Sequence, residues 1–294
     1  MAGDESIPET VAEYAIATMR PLFDAIRELE RRVRAGNDPE AVHDMRVGSR
    51  RLRGALSTFE DVLPPGFQGL GDELTWTGAC LGGVRDLDVQ IETLGRVRDT
   101  ASGERAEALR TLISRLARSR DAAQERLVDA LMSERYAALI ARMSTALAAH
   151  LGDSGVPVRE YAPDVIRRRY RKLRKAAKSL DMHSPAPGFH RARIKAKHLR
   201  YTVEVFEAVY GKAATELAAE ATTVQDVLGE HQDLIVLNQR LESMVREEPV
   251  LPPWALVTAG ELMEHNRQKA ALIRESWDGI GGVRRACRRL RRVL

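Results

Sequence analysis

Hydrophobic residues along this chain recur three and four apart rather than in alternation, which is the spacing of one face of an α-helix. Val11, Ala15, Leu22, Ile26, Leu29 and Val33 form the first such stripe, which ends near Gly36 and holds Pro21 as a candidate kink. A second helix is predicted from Pro39, with Asp38 as its N-cap, running to the Pro-Pro-Gly break at 64–66. A third, from about Gly69, carries Gly82-Gly83, where a bend or interruption is expected. A long helix over 103–150 follows, then a turn-rich stretch. The order recurs with helices over 163–181, 187–210, 212–247 and 253–290. No segment reads as a strand, and the predicted fold class is all-α.

The second half repeats the first at a fixed separation. Set 147 residues apart, His43 meets His190, Arg46 meets Arg193, Arg50 meets Lys197, Leu52 meets Leu199 and Arg53 meets Arg200. Seven of the 22 positions from 42 to 63 are identical. The same register brings Leu81-Gly82 onto Leu228-Gly229 and Asp86-Leu87 onto Asp233-Leu234. Upstream it brings Arg20, Arg27 and Arg31 onto Arg167, Arg174 and Lys178. Apolar matches arise easily between amphipathic helices; matched histidines, glycines and basic positions do not. A duplication is therefore predicted, giving one domain over 8–290 with repeats at about 8–150 and 160–290 and a linker over 151–161. Two similar helical bundles related by a pseudo-two-fold axis are expected.

Composition adds little until its distribution is considered. The 294 residues are 44% hydrophobic and 30% charged, with 46 Lys and Arg against 42 Asp and Glu, a net of +4. Between Arg159 and Arg200, however, 14 basic residues face three acids, and the tail from Arg284 is basic again. The two cysteines are far apart and lack zinc spacing; Cys80, in an apolar stretch, reads as a buried thiol. The acidic, polar N-terminus is unlike a secretory signal. No apolar run approaches the ~20 residues that cross a bilayer. A cytoplasmic protein with no membrane association is expected.

The basic residues fall in register on the helices. His43, Arg46, Arg50 and Arg53 are spaced three, four and three apart and share one stripe. Met45, Leu52, Leu56 and Phe59 form the neighbouring, core-facing stripe. The second copy sets His190, Arg193, Lys197 and Arg200 beside Leu199, Val203 and Phe206. A basic stripe is ordinarily a solvated face paired to nearby acids. Here only Glu204 lies close, and the arrangement occurs twice, so an anion ligand is the better account. The preceding helices add Arg20, Arg27, Arg31, Arg167, Arg171, Arg174 and Lys178. If each pairs antiparallel with the next helix, symmetry brings both sets to one positively charged cavity.

The adjacent His43 and Asp44 raise a different chemistry, that of a metal-dependent phosphohydrolase. Neighbouring residues on a helix point about 100° apart and do not readily share one ion. The repeat keeps the histidine but has Arg191 in place of Asp44, and a cation placed there would sit among arginines. Histidine with basic residues suits a phosphate oxyanion, to which Arg offers a planar fork and Lys a point charge. Asp86 and Asp233 read as caps or ion-pair partners. His150, His183, His198, His231 and His265 share no spacing and read as surface or core residues. No metal, cofactor or P-loop is expected.

The stretches "VHDMRVGSRRLRGALSTF" with "LGGVRDLDV", and "FHRARIKAKHLRYTVEVF" with "LGEHQDL", resemble the two repeated signatures of the CHAD domain family, the conserved histidine α-helical domains. The resemblance extends over about residues 8–290. It implies two four-helix bundles with internal symmetry around a basic central pore that binds inorganic polyphosphate, in association with polyphosphate granules. The family's histidines fall on His43 and His190, and its basic residues on Arg46, Arg50, Arg53, Arg193, Lys197 and Arg200. The sequence departs from the pattern at Gly48 and Gly54, where helix formers would be more comfortable. It also lacks, in "LGEHQDL", the pair seen as Arg85-Asp86. No Glu-x-Glu-x-Lys motif of a triphosphate-hydrolysing partner domain is present, so the expectation is non-enzymatic binding. The rivals are an RNA- or DNA-binding protein, disfavoured because the stripes lack stacking aromatics apart from Tyr201, and the phosphohydrolase.

Overall fold

The computed structural model describes residues 10–36, 38–149, 155–246 and 250–292. Among them the chain is all-helical. Its helices are α1 (Val11–Ala35), α2 (Pro39–Thr58), α3 (Leu70–Asp99), α4 (Gly103–Met132), α5 (Glu134–Ala148) and α6 (Val158–Lys178). They continue as α7 (Ala186–Val205), α8 (Glu207–Tyr210), α9 (Lys212–Arg246), α10 (Pro253–Glu275) and α11 (Gly281–Leu290). A 3₁₀ turn lies at Pro65–Phe67. No strand occurs among the described residues; the isolated bridge between Thr10 and Pro157 ties the starts of α1 and α6, with Val11 N–H donating to Val156 O at 3.0 Å.

Local chemistry sets several ends. Thr10 caps α1 by accepting from Glu13 N–H, while its own hydroxyl donates to the Glu13 carboxylate at 2.9 Å. Gly36 closes α1 at φ 78°, a left-handed conformation that glycine adopts without strain. Asp38 caps α2 through Ala41 N–H at 3.0 Å, with Pro39 at the first helical position.

Several predicted boundaries are corrected. Helix α2 stops at Thr58, six residues before the proline pair, because Phe59 leaves helical geometry and is fully buried. Helix α7 stops in the same way before Phe206, so the helix expected over 187–210 becomes α7 and α8. Helix α1 continues through Pro21, and α3 runs unbroken through Gly82-Gly83. The long helix expected over 103–150 divides at Ser133, whose extended backbone lets its hydroxyl accept from Tyr136 N–H and cap α5. The last helix divides between α10 and α11, where Gly279 takes φ 86°. Helix α6 begins within the expected linker; residues 151–154 and His150 lie outside the described residues.

Helix boundaries recur at the spacing of the sequence repeat. Val11 and Val158 start α1 and α6, Pro39 and Ala186 start α2 and α7, and Glu134 and Gly281 start α5 and α11. Thr58 and Val205 end α2 and α7, and Asp99 and Arg246 end α3 and α9. Each of these pairs is 147 residues apart. Counterparts also pack on one another: α1 on α6, α2 on α7 and α4 on α10.

Four rings join the halves. Phe59 and Phe206 meet edge to face at 5.9 Å, Tyr14 stacks on Phe206 at 6.1 Å, and Tyr161 stacks on Phe59 at 6.2 Å. Tyr14 Oη donates to Val205 O at 2.6 Å, and Tyr161 Oη donates to Thr58 O at 2.7 Å. Each half thus satisfies the carbonyl that ends the other half's helix, a group that has no intrahelical partner. Burying both phenylalanines contributes about 1.5–3 kcal/mol per ring. No helix among the described residues is long and apolar enough to cross a membrane.

Candidate functional site

A cavity of about 900 Å³ opens between the C-terminal half of α2, most of the length of α7 (His190 to Thr202), the 63–75 segment and one residue of α6. Arg50, Arg53, Arg169, Arg193 and Lys197 line it, with His190 and His198. Glu60 and Asp72 are the carboxylates on the same wall. Helical spacing explains the grouping, since Arg50 and Arg53 lie one turn apart, as do Arg193 and Lys197, each pair beside a buried stripe that fixes its helix.

The glycines that looked out of place allow the close approach. A Cβ on Gly54 would lie 2.9 Å from Tyr201 Cβ, so α2 and α7 touch there because one of them has no side chain. A Cβ on Gly48 would lie 3.1 Å from Ile26 on α1. The matched Leu-Gly pairs have a related use: Arg46 lies over Gly82 and Arg193 over Gly229, with guanidinium nitrogens at 3.4 and 3.5 Å from the positions a Cβ would take.

Burial leaves these cations under-satisfied. Arg50 Nε and Arg193 Nε are buried without a hydrogen-bond partner. Burial is the main influence holding both guanidinium groups below their ordinary pKa, and neighbouring arginines add to it. Burial first, then Arg193, Arg50 and Arg46, bring the Lys197 ammonium down to about 7. His198 falls to about 4 through burial and the nearby Arg169, so it is neutral at ordinary pH. Asp233 is raised, chiefly by burial, against the attraction of Arg193. His190 Nδ1 donates to Gln232 Oε1 at 2.9 Å, so its Nε2 becomes a donor only when the ring is protonated. Arg53 donates to Thr75 Oγ1 at 3.2 Å, and Arg169 donates to Ser57 Oγ at 2.8 Å.

The remaining residues singled out by the sequence lie elsewhere. Arg46 is ion-paired with Asp86 at 3.2 Å, and Arg200 donates to Glu204 at 2.6 Å and Gln225 at 3.1 Å. For Arg200 burial is the largest single influence and lowers its pKa, but the bond to Glu204 and the charges of Glu204, Tyr201 and Asp226 together raise it above its ordinary value. His43, half-buried on α2, does not line the cavity. On the preceding helices, Arg20 bonds the Leu147 carbonyl at the end of α5, and Arg167 pairs with Asp164 at 2.6 Å. Arg27, Arg31, Arg171 and Lys178 are exposed, and Arg174 lines a small pocket with Arg284 and Arg288. None of these seven lines the cavity.

Sequence reasoning missed Arg169 and His198. Of the run Arg167-Arg168-Arg169, spacing alone does not say which member turns inward. Of the other histidines, His231 is buried and His183 and His265 are exposed. Cys80, expected as a buried thiol, is half-buried. Among the described residues no three or more His, Cys, Asp or Glu side chains gather as a metal site. His43 and the exposed Asp44 diverge on the helix.

Comparison with known proteins places the arrangement. Residues 17–242 match the family model described as the CHAD domain. Two curated relatives, described as uncharacterized proteins of Mycobacterium tuberculosis strains CDC 1551 / Oshkosh and H37Rv, are each 31% identical over 216 residues. The match takes in 69% of this chain but 40% of each relative, so the chain spans about two fifths of their length. A crystal structure of the CHAD domain from the plant Ricinus communis superposes with TM-score 0.80 at 25% identity, over 98% of this chain and 95% of that one. PptA from Streptomyces chartreusis has the same fold, with TM-score 0.70 at 17% identity, over 94% of this chain and 98% of that one.

Proposed function

Because this chain belongs to the CHAD domain family, we propose that it is a non-enzymatic binder of inorganic polyphosphate. In this reading two duplicated bundles, each built on four principal helical segments, enclose a basic central cavity. The observation that carries the proposal is a set of half-buried cations, two of which, Arg50 and Arg193, keep a buried Nε without a hydrogen-bond partner. Arg50, Arg193 and Lys197 line one cavity, and no ion pair holds any of them among the described residues. Orphaned buried donors cost stability unless something satisfies them. A linear polyanion does so along its length, through charge-assisted hydrogen bonds to Arg and Lys.

Arg53, Arg169 and His190 extend the contact along the same cavity wall. Gln232 holds the Nδ1 of His190, which orients its ring on the cavity wall. The energetic logic favours a polyanion over a single phosphate, since several weak contacts on one thread act together. Action on a polyphosphate granule or in the cytoplasm is part of the same proposal.

A nucleic acid is the less suitable ligand. The aromatic side chains of the cavity wall are Phe67 and Tyr201, both buried, with Arg200 over the Tyr201 ring at 5.2 Å. Neither offers an open face for base stacking, on which single-strand binders rely.

The test is a calorimetric titration with polyphosphate of defined length at two salt concentrations. It compares the wild type with a variant carrying Arg46→Glu, Arg50→Glu, Arg193→Glu and Lys197→Glu. The expected result is loss of binding with the helical circular-dichroism spectrum retained. Unchanged affinity in the folded variant rejects the site, and RNA that displaces polyphosphate at lower concentration than polyphosphate itself reverses the order of ligands.

A further inference from the structure

The arginine-rich segment that begins at Arg284 contributes nothing to the cavity wall. Its Arg284, Arg288 and Arg291, with Arg174 of α6, line a separate pocket of about 290 Å³ whose other walls are Tyr170 and Cys287. No carboxylate lines this pocket, and among the described residues no ion pair or side-chain hydrogen bond holds any of the four arginines. All four are exposed, while Tyr170 and Cys287 are buried. Spacings of four and three set the arginines of the last helix on one side of it, a turn apart.

The 147-residue register shows that the fold does not require these arginines. Helix α11 corresponds to α5, and Arg284, Arg288 and Arg291 stand where the first half has Ala137, Ala141 and Ser144. The arginine that both helices share has a structural partner in each. Arg142 donates to Gln68 O at 2.7 Å, and Arg289 donates to the Glu216 carboxylate at 2.7 Å. The three pocket arginines have no such partner. The helix dipole does not account for them either. It favours Arg288 and Arg291 at the C-terminal end but opposes Arg284 at the N-terminal end. Like charges one turn apart also repel. A ligand that supplies negative charge accounts for the group.

Resting on the reading of the cavity as a polyphosphate site, we propose that the pocket between α6 and α11 is a second contact for the same polyphosphate chain, engaged by a part of the chain that lies outside the cavity. Helix α6 bears both sites. Arg169 lines the cavity, and Tyr170 and Arg174 line the pocket, about 100° and 140° further round at roughly 100° per residue. The body of one helix, about 10 Å across, therefore stands between them. Exposed cations make weak contacts singly and become effective when the ligand is already tethered nearby. That suits these arginines to a chain held elsewhere rather than to a lone phosphate. A nucleic acid finds no open ring here, since Tyr170 is buried. A membrane surface finds no apolar face to take up, because Val283, Ala286, Cys287 and Leu290 are buried and α11 packs on α9.

The experiment is calorimetry of the full chain with tripolyphosphate and with long-chain polyphosphate. Wild type is compared with the triple variant Arg284→Ala, Arg288→Ala and Arg291→Ser, which gives α11 the residues that the first half holds at those positions and so spares the fold. The long chain should bind about tenfold more weakly. Its salt slope should flatten by about 0.7 for each arginine that engages. Tripolyphosphate, held in the cavity, should bind as before. Arg174→Gln, across the pocket on α6, should weaken the long chain in the same direction. Unchanged long-chain affinity in both variants overturns the second contact and leaves the cavity reading in place. Equal weakening of the two ligands overturns it as a contact reached only by a tethered chain. Loss of RNA or phosphatidylserine-vesicle binding, with polyphosphate binding intact, overturns it in favour of another partner. The cavity reading fails separately, if Arg50→Glu with Arg193→Glu leaves tripolyphosphate binding unchanged.

Discussion

Lys197 lies half-buried beside Arg50, its counterpart in the repeat, and no ion pair holds either of them among the described residues. Two cations held together this way oppose folding and favour an anionic ligand. Lys197→Met should therefore raise the stability of the free protein by about 1 kcal/mol, the usual scale for relieving a functional strain. It should also weaken polyphosphate binding by about tenfold, the scale of a lost charge-assisted contact. Thermal unfolding and titration of the same variant check both signs; a loss of stability would mean that the ammonium is better satisfied than its surroundings indicate.

The same lysine sets a pH dependence. Its pKa is about 7 in the folded chain against 10.5 as the ordinary value. Between those values the unfolded chain binds the extra proton, so the contribution of this residue makes the free protein more stable as pH rises from about 7 to 10.5. A polyanion favours the charged form, so binding at pH 8 should take up a proton at Lys197. Titrations at pH 8 in buffers of different ionisation enthalpy measure that uptake. The difference between wild type and Lys197→Met isolates it from the phosphates, which are common to both.

Salt should act through the residues on the cavity wall. For a single-stranded polyanion, log affinity falls with log salt at roughly 0.7 per neutralised charge. Arg53→Ala and Arg169→Ala should each flatten that slope by about 0.7. Arg27→Ala and Arg31→Ala, on the exposed face of α1, should leave it unchanged. Equal effects from all four would place the ligand on the general surface.

Gly54 offers a test of the helix crossing. A glycine-to-alanine change in an open helix stabilises by about 0.5–1 kcal/mol. Here the new methyl would lie 2.9 Å from Tyr201 Cβ. Gly54→Ala should instead destabilise by about 1–3 kcal/mol, the range for overpacking. In a Tyr201→Ala background the sign should revert, and a double-mutant cycle by chemical denaturation reads the coupling directly.

Much of the fold is legible in the sequence because the 147-residue repeat of its pattern gives each signal twice. The 147-residue register runs from Val11 to Gly281 in the helix ends themselves. Caps such as Asp38 with Pro39 act locally and are read locally. The early ends of α2 and α7 are not legible, because Phe59 and Phe206 continue the apolar pattern and leave the helix only to reach each other. At the site, spacing identifies stripes but not partners. It groups Arg46 and Arg200 with Arg50 and Arg193; Glu204, one turn from Arg200, and Asp86 are legible as carboxylate partners, but only the fold says that Asp86 meets Arg46. The wall from Leu63 to Gly69 is a 3₁₀ turn and loop, which carry no periodicity to read.

The exchanged tyrosines have a measurable cost. Tyr14→Phe and Tyr161→Phe each remove one donor to a helix-ending carbonyl and should each cost about 1 kcal/mol. Near-equal losses in thermal unfolding are expected, since the two environments correspond; a loss confined to one would mean that the two halves carry load unequally.

That exchange also bears on how such a chain can change over generations. A half severed from its sibling would turn two aromatic rings to water and leave a helix end uncapped. If the two halves descend from one unit, leaning on each other's phenol leaves neither free to be deleted, and only the pair is inherited as a working whole.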